Sequence, residues 1–288
     1  MTTKVSILTP TYRDSALLHT LGGWLQEQVF QDFEWLLLDD LYEQRKEEVT
    51  SWGFPFLRHL QAWPSEVRAP SAVINHGLVQ ARGDLIYFLA DYMQPTPGVL
   101  ARHWALYQRL GPKVMIGGPL LISECPTCMM EKKEIWPSPE ETIWVTRCSG
   151  CGVPMVFLHQ RNFEFDLGGG IGEIKNAELM RQTWWVGRNE SVPLQCLLDI
   201  NGLDETLDGR GGDCEMGTRL RNLGCRFIID RVEPAIMHPH NSAGKPSGPR
   251  LPEALVPENP LWMKVLAGET WAPNTWNIRE TRNALQRP

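Results

Sequence analysis

Phe33-Glu34-Trp35-Leu36-Leu37-Leu38-Asp39-Asp40 is the stretch on which the fold turns. A short, nearly continuous apolar run stops abruptly on two carboxylates. Such a run, far too short to span a membrane, reads as a strand buried on both faces. The pattern occurs before it, where Lys4-Val5-Ser6-Ile7-Leu8-Thr9 runs into the polar turn Pro10-Thr11-Tyr12-Arg13-Asp14. It occurs after it, where Leu85 to Leu89 runs into Ala90-Asp91-Tyr92. Further strands are predicted over 55–60 and 113–117. Between them, Leu17, Leu18, Leu21, Trp24 and Leu25 fall at helical spacing over 15–28. A second helix is predicted over 70–82, carrying Ala72, Val73, Leu78 and Val79 and stopping at Gly83. A third is predicted over 97–110. Strands alternating with helices predict a parallel sheet. Ligands of such sheets bind beyond the carboxyl ends of the strands. Here those ends carry Thr9, Asp39-Asp40 and Asp91.

Downstream the pattern loosens. Residues 118–152 read as an insertion, and 153–190 are mixed around a flexible Gly168-Gly169-Gly170. Leu194 to Asp204 and Met216 to Leu223 read as helical segments, and Phe227 to Ile229 as a short strand. Beyond His240 the chain is rich in Pro, Gly and Ser. We expect a loop or lid over 241–260 and a tail packing on the surface over 261–288. The expected organisation is 1–117 and 153–240 as two halves of one α/β domain, 118–152 as an insertion, and 241–288 as a terminal appendage.

The 288-residue chain is 42% hydrophobic and 22% charged, an ordinary globular balance. A net charge of −6 offers no bulk attraction to nucleic acid or anionic membranes, though a local basic groove is compatible with it. No apolar run reaches the roughly 18 residues of a membrane span. Met1-Thr2-Thr3-Lys4 leads directly into a strand without a signal-peptide pattern, so a cytoplasmic location is expected. The 12 tryptophans include Trp136, Trp144, Trp184 and Trp185; they read as packing residues or as a stacking platform for a sugar or base.

Cys125-Pro126-Thr127-Cys128 and Cys148-Ser149-Gly150-Cys151 form two C-x₂-C pairs. In a reducing compartment this spacing argues for tetrahedral Zn²⁺ before disulfides. Four thiolates leave no open position, so the expected zinc is structural, folding a ribbon that lacks a core of its own.

Six blocks, in order, resemble the family 2 glycosyltransferases of GT-A fold. They are Val5 to Arg13, Phe33 to Asp40, and Asn75-His76-Gly77 with Ala81-Arg82-Gly83-Asp84. They continue with Asn189-Glu190-Ser191, Asn201-Gly202-Leu203-Asp204-Glu205 and Gly212 to Leu220. The last block, after Gly209-Arg210-Gly211, also resembles the galactosyltransferase C-terminal motif. The resemblance covers about 1–117 and 185–240. It implies an α/β, Rossmann-like domain with a mostly parallel central sheet flanked by helices, here carrying a small zinc-ribbon-like insertion. It also implies a hexosyltransferase that uses a nucleotide-sugar donor, with UDP as the nucleotide.

On that resemblance Asp39 accepts a hydrogen bond from a uracil ring N–H. Thr9, Pro10 and Tyr12 line base and ribose. Asp40, Asn75 and Arg68 are further donor-site candidates, the arginine for the diphosphate. The family's Asp-x-Asp metal loop is reduced to Ala90-Asp91-Tyr92, with Pro97 as the proline that follows it. Asp91 with His238 or His240, from Met237-His238-Pro239-His240, implies at most weak Mn²⁺ or Mg²⁺ binding beside the phosphates. Transfer with inversion needs a base for the acceptor hydroxyl. Asp213 occupies that position, with Glu215 as alternative base or hydroxyl ligand. A helix N-terminus stabilises such a carboxylate as the anion, and Asp is also a common helix cap.

The acceptor side carries Trp184, Trp185 and Asn189. A glycan is the acceptor class the family implies. The alternative acceptor is DNA bearing hydroxymethylated pyrimidines, for which Arg161, Arg181 and Arg188 would form the groove and Trp184-Trp185 would stack on a flipped base. A third reading is a non-catalytic sugar-nucleotide binder or zinc interaction module, favoured by the reduced Asp-x-Asp.

Overall fold

A computed structural model describes residues 3–12, 17–62, 70–122, 145–147, 154–156, 165–175, 188–206, 212–238 and 274–285. The two apolar runs that open the chain become neighbouring strands, β1 (Val5–Thr11) and β2 (Phe33–Asp39), parallel and in register from Val5↔Phe33 to Thr11↔Asp39. Their residues alternate between two cores, because successive side chains leave opposite faces of a strand. Trp35 and Leu37 pack with Leu18, Leu21 and Leu25 of α1 (Leu17–Gln26). Leu36 and Leu38 pack on the other face with Ile74 and Leu78.

The next elements are α2 (Tyr42–Ser51), β3 (Leu57–Gln61), α3 (Pro70–Gln80) and β4 (Leu85–Phe88). They are followed by β5 (Met93–Pro95), α4 (Val99–Leu110), β6 (Val114–Gly117) and β7 (Leu120–Ile122). Helix α2 has no apolar periodicity; only Arg45 and Val49 of it are buried, which is why the sequence pattern passes over it. Strands β8 (Val145–Arg147) and β9 (Pro154–Val156) pair antiparallel by themselves.

The second half contains β10 (Phe165–Gly168), β11 (Ile171–Ile174), β12 (Glu190–Pro193) and α5 (Leu194–Asp199). Then come α6 (Gly212–Asn222), β13 (Arg226–Asp230), β14 (Ala235–Met237) and α7 (Ile278–Leu285). The glycine triplet expected to be a flexible stretch turns the β10–β11 hairpin: Gly168, Gly169 and Gly170 have φ of 74°, 66° and 76°, a region that favours glycine.

The main sheet has nine strands, ordered β10-β11-β13-β6-β12-β4-β1-β2-β3. Strands β1 to β4 are mutually parallel, as are β6 and β13. The expectation of a mostly parallel sheet requires one amendment. Strand β12 runs antiparallel between β4 and β6, and β11 runs antiparallel to β13 and β10, so the sheet is mixed. A smaller sheet, β5-β14-β7, lies beside it. Helices α1 and α4 contribute to one core, and α3, α5, α6 and α7 to the other.

The tail is more than a surface covering. Ile278 of α7 is wholly buried in the core shared with α3 and α6. Asn201 takes the left-handed conformation, φ 59°, in the loop after α5. Its Oδ1 accepts from Ile278 N–H at 2.9 Å, and its Nδ2 donates to Trp276 C=O at 2.9 Å. Asn274 Nδ2 returns two bonds, to Asn201 and Leu203 carbonyls at 2.8 and 3.0 Å. Gly202 lies at the tightest point, where an added Cβ would stand 2.2 Å from Ile278 Cδ1. Among the described residues, no helix is long and apolar enough to cross a membrane.

Candidate functional site

The carboxyl ends of β1, β2 and β4 lie side by side at one edge of the sheet. Strand β1 ends on Thr11, whose hydroxyl donates to Asp91 Oδ2 at 2.7 Å, and both residues are buried. Thr9, expected to face the ligand, points inward, and its hydroxyl accepts from the Trp35 indole at 3.0 Å. The pleat decides this: Thr9 and Thr11 share a face, but only Thr11 reaches the edge. Pro10 is half-buried and Tyr12 is 57% exposed at the rim.

Asp39 ends β2 and is enclosed. Its Oδ1 accepts from Leu41 N–H at 2.8 Å and lies 3.3 Å from Arg45 Nη2. Its Oδ2 is 3.0 Å from His59 Nε2, and the His59 ring packs against Tyr42. Its carboxylate has 0% exposure. Asp40 is exposed, and its N–H donates to Thr11 C=O at 3.0 Å. No local sequence pattern marks Arg45 or His59, since both come from elements beyond the motif.

Strand β12 reaches the same edge from the opposite direction. Glu190 pairs with Phe88, so Arg188 emerges beside the Ala90-Asp91-Tyr92 turn. Arg188 Nε donates to Tyr92 Oη at 3.1 Å, its guanidinium lies 5.8 Å from the Tyr92 ring centroid, and Nη1 is 3.6 Å from Met237 Sδ. Glu190 Oε2 accepts from the N–H groups of Arg188 and Asn189 at 3.1 and 3.2 Å.

By connectivity, helix α6 begins on the side of the sheet where β13 ends, and β13 runs parallel to β6 and in the same sense as β4. The helix ends at Asn222, and a short link through Gly224 (φ 86°) starts β13 in the opposite direction. Asp213 is the second residue of the helix; its side chain lies outside the described set. Glu215 is buried, and Arg219 Nη2 donates to its Oε2 at 2.6 Å, with a second bond from Nε to Oε1. Arg219 also donates to the carbonyls of Ile200 and Gly202, the latter at 2.7 Å. Burial pushes the Glu215 carboxyl above its ordinary value, and Arg219 opposes that rise.

Asn75 and Asn189 are taken up by the protein. Asn75 bonds both backbone groups of Leu203, through Nδ2 to the carbonyl and Oδ1 to the N–H, each at 2.8 Å; Nδ2 also reaches Glu205 Oε1 at 2.8 Å. Asn189 is wholly buried. It accepts from Tyr87 Oη at 2.8 Å and donates to Pro119 C=O at 2.9 Å, tying β4 to the turn after β6. His238 stacks on Trp24 with ring centroids 5.0 Å apart, and its Nε2 is 2.9 Å from Gln94 Oε1. Arg68, His240, Trp184, Trp185, Arg161, Arg181 and the four cysteines 125, 128, 148 and 151 lie outside the described residues.

The same arrangement of strands and helices occurs in solved structures. A structure of GalNAc-T7 with UDP, GalNAc and Mn²⁺ matches with a TM-score of 0.64 and 9% identity, covering 93% of this chain and 48% of that one. Residues 1–349 of S. aureus TarS with UDP-GlcNAc match with a TM-score of 0.56 and 14% identity, covering 82% and 59%. TarS with UDP matches with a TM-score of 0.55 and 14% identity, covering 92% and 64%. The chain shares the fold of these solved chains. It spans between 48% and 64% of the length of these three solved chains. No family model and no curated protein sequence matches it.

A divalent cation needs several oxygen ligands. The turn after β4 supplies Asp91, flanked by Ala90 and Tyr92, and one Asp91 oxygen already accepts from Thr11. Glu190 turns its carboxylate to backbone N–H groups, and His238 turns Nε2 to Gln94. Among the described residues, no three His, Cys, Asp or Glu side chains converge to hold an ion. Among the described residues the donor set does not fit a divalent-cation site; His240, the alternative partner of Asp91, lies outside them.

Proposed function

We propose that this chain transfers a sugar from a nucleotide-sugar, with UDP as the nucleotide, to an acceptor hydroxyl with inversion, the acceptor being a glycan. One observation carries the reading. Three neighbouring strand ends gather Thr11, Asp39 and Asp91 at the edge where α6 begins, in a fold shared with two proteins solved in complex with UDP.

In this reading Thr11 and Asp91 form the floor of the donor crevice, and Tyr12 and Pro10 its rim beside the base. Asp39 fixes the base pocket through Leu41 N–H and Arg45, because its own carboxylate is closed to solvent. Asp213 takes the acceptor proton as the hydroxyl oxygen attacks the anomeric carbon and the bond to the β-phosphate oxygen breaks. A carboxylate is a weak base, so the rate it supports depends on its placement. Glu215 is a positioning residue: its pairing with Arg219 ties α6 to the 200–202 turn.

Asp213→Asn tests the assignment. Initial rates of transfer from UDP-sugars should fall by about 10²- to 10⁴-fold, the usual contribution of a general base, with the melting temperature unchanged. A wild-type rate in the folded variant removes Asp213 from the chemistry.

We also propose structural Zn²⁺ on Cys125, Cys128, Cys148 and Cys151. Supporting it, the second C-x₂-C pair falls in the link between β8 and β9, strands that pair with Arg147 opposite Pro154. Metal analysis of the desalted chain should find one zinc per chain; metal-free folded protein rejects the ribbon.

A further inference from the structure

Breaking the bond between the anomeric carbon and the donor phosphate sends an electron pair to the β-phosphate oxygen. That oxygen needs a positive charge beside it. The turn after β4 has Asp91 but lacks the flanking carboxylates that would join it in holding a divalent cation, as described above. One of the two residues standing in their place has another role. Tyr92 presents its hydroxyl to Arg188 Nε at 3.1 Å and its ring to the guanidinium at 5.8 Å. The side chain at the lost metal position is therefore the one that orients an arginine.

We propose that Arg188 does the work of the cation: the leaving diphosphate is neutralised by its guanidinium, and donor binding and transfer proceed without a divalent metal. This rests on the reading of the site as a nucleotide-sugar crevice. Three observations place Arg188 for the role. The antiparallel register of β12 on β4, with Glu190 opposite Phe88, brings its backbone alongside Ala90 at the carboxyl edge. The backbone is fixed there by its N–H bond to Glu190 Oε2 at 3.1 Å. The head group also meets Met237, with Nη1 3.6 Å from Sδ. The chemistry suits the ligand, since a guanidinium is always charged and its planar fork matches two phosphate oxygens at once.

Calorimetric titration of the full chain with UDP and with uridine, in metal-stripped buffer with and without added Mn²⁺, tests this. The wild type should bind UDP without added metal, and Mn²⁺ should leave that affinity the same or weaker. Arg188→Ala should weaken UDP by about ten- to a hundredfold, the loss of one charge-assisted contact, and leave uridine unchanged. Arg188→Lys should fall between them. Tightening of wild-type UDP by tenfold or more on adding Mn²⁺ overturns the proposal and leaves the glycosyltransferase reading standing. So does an Arg188→Ala variant that binds UDP as the wild type does, or loses uridine equally. Absence of nucleoside diphosphate binding in both buffers overturns both. If Arg188→Ala fails to fold, the wild-type Mn²⁺ comparison and Arg188→Lys still decide.

Discussion

The two halves of this molecule solve the same problem by different means. In the half built from β1 to β4, functional side chains sit on consecutive parallel strands, and the strands alone bring Thr11, Asp39 and Asp91 to one edge. In the half built from β12, α5, α6 and β13, the elements are placed by side chains that cross long stretches of sequence. Asn75 holds Leu203, Arg219 holds Ile200 and Gly202, and Asn274 holds Asn201. Sheet register positions the proposed donor side; a web of amide and guanidinium contacts positions the proposed acceptor side. On the proposed function, damage to the second half should therefore uncouple acceptor chemistry from nucleotide binding.

The Asp213→Asn loss of rate is the largest effect expected in that half. Next is Glu215→Ala, which leaves Arg219 buried without its carboxylate. Breaking a buried pair on one side costs about 3–5 kcal/mol, so the urea midpoint should drop sharply. If the variant still binds UDP while folded, the two halves are separable; unchanged stability would show that the pair does not hold α6.

A smaller effect lies at the seam. His103 of α4 shares a 2.8 Å hydrogen bond with Ser191 of β12. Burial, above all, lowers its pKa from 6.5 to about 4, with Arg102 adding to the fall and Asp230 opposing it. Above pH 6.5 both folded and unfolded chains hold it neutral. Below that, the unfolded chain takes up a proton that the folded chain refuses until about pH 4. Stability should fall across that window as pH drops, by about 3 kcal/mol. Urea midpoints of wild type and His103→Asn, compared at the two ends of the window, measure the contribution. Equal slopes would place the seam's acid sensitivity elsewhere.

The contrast also explains what could be read from the chain. Unbroken apolar runs ending in acids are local signals, so β1, β2, β4 and the carboxylates that follow them were legible. Which threonine faces the edge was not, because that depends on where the pleat meets the end of the strand. Helix α2 escaped notice because Tyr42 to Ser51 is polar nearly throughout, and β12 because Glu190-Ser191-Val192-Pro193 is short and half polar. Asn75 and Asn189 fell within the matching blocks, yet their amides are spent on the protein itself. Local sequence does not distinguish an asparagine that binds a ligand from one that braces a loop, since the bracing partner lies 70 or 128 residues away.

The brace on the turn at Asn201 has a bearing on how the molecule is made. Its last supports, Asn274, Trp276 and Ile278, leave the ribosome more than 70 residues after the turn they hold. A nascent chain can assemble β1 through β4 early, but the turn at Asn201 waits for α7 to emerge. During synthesis the molecule passes through a stage in which the ends of β1 to β4 are in place and the loop at Asn201 is not yet held.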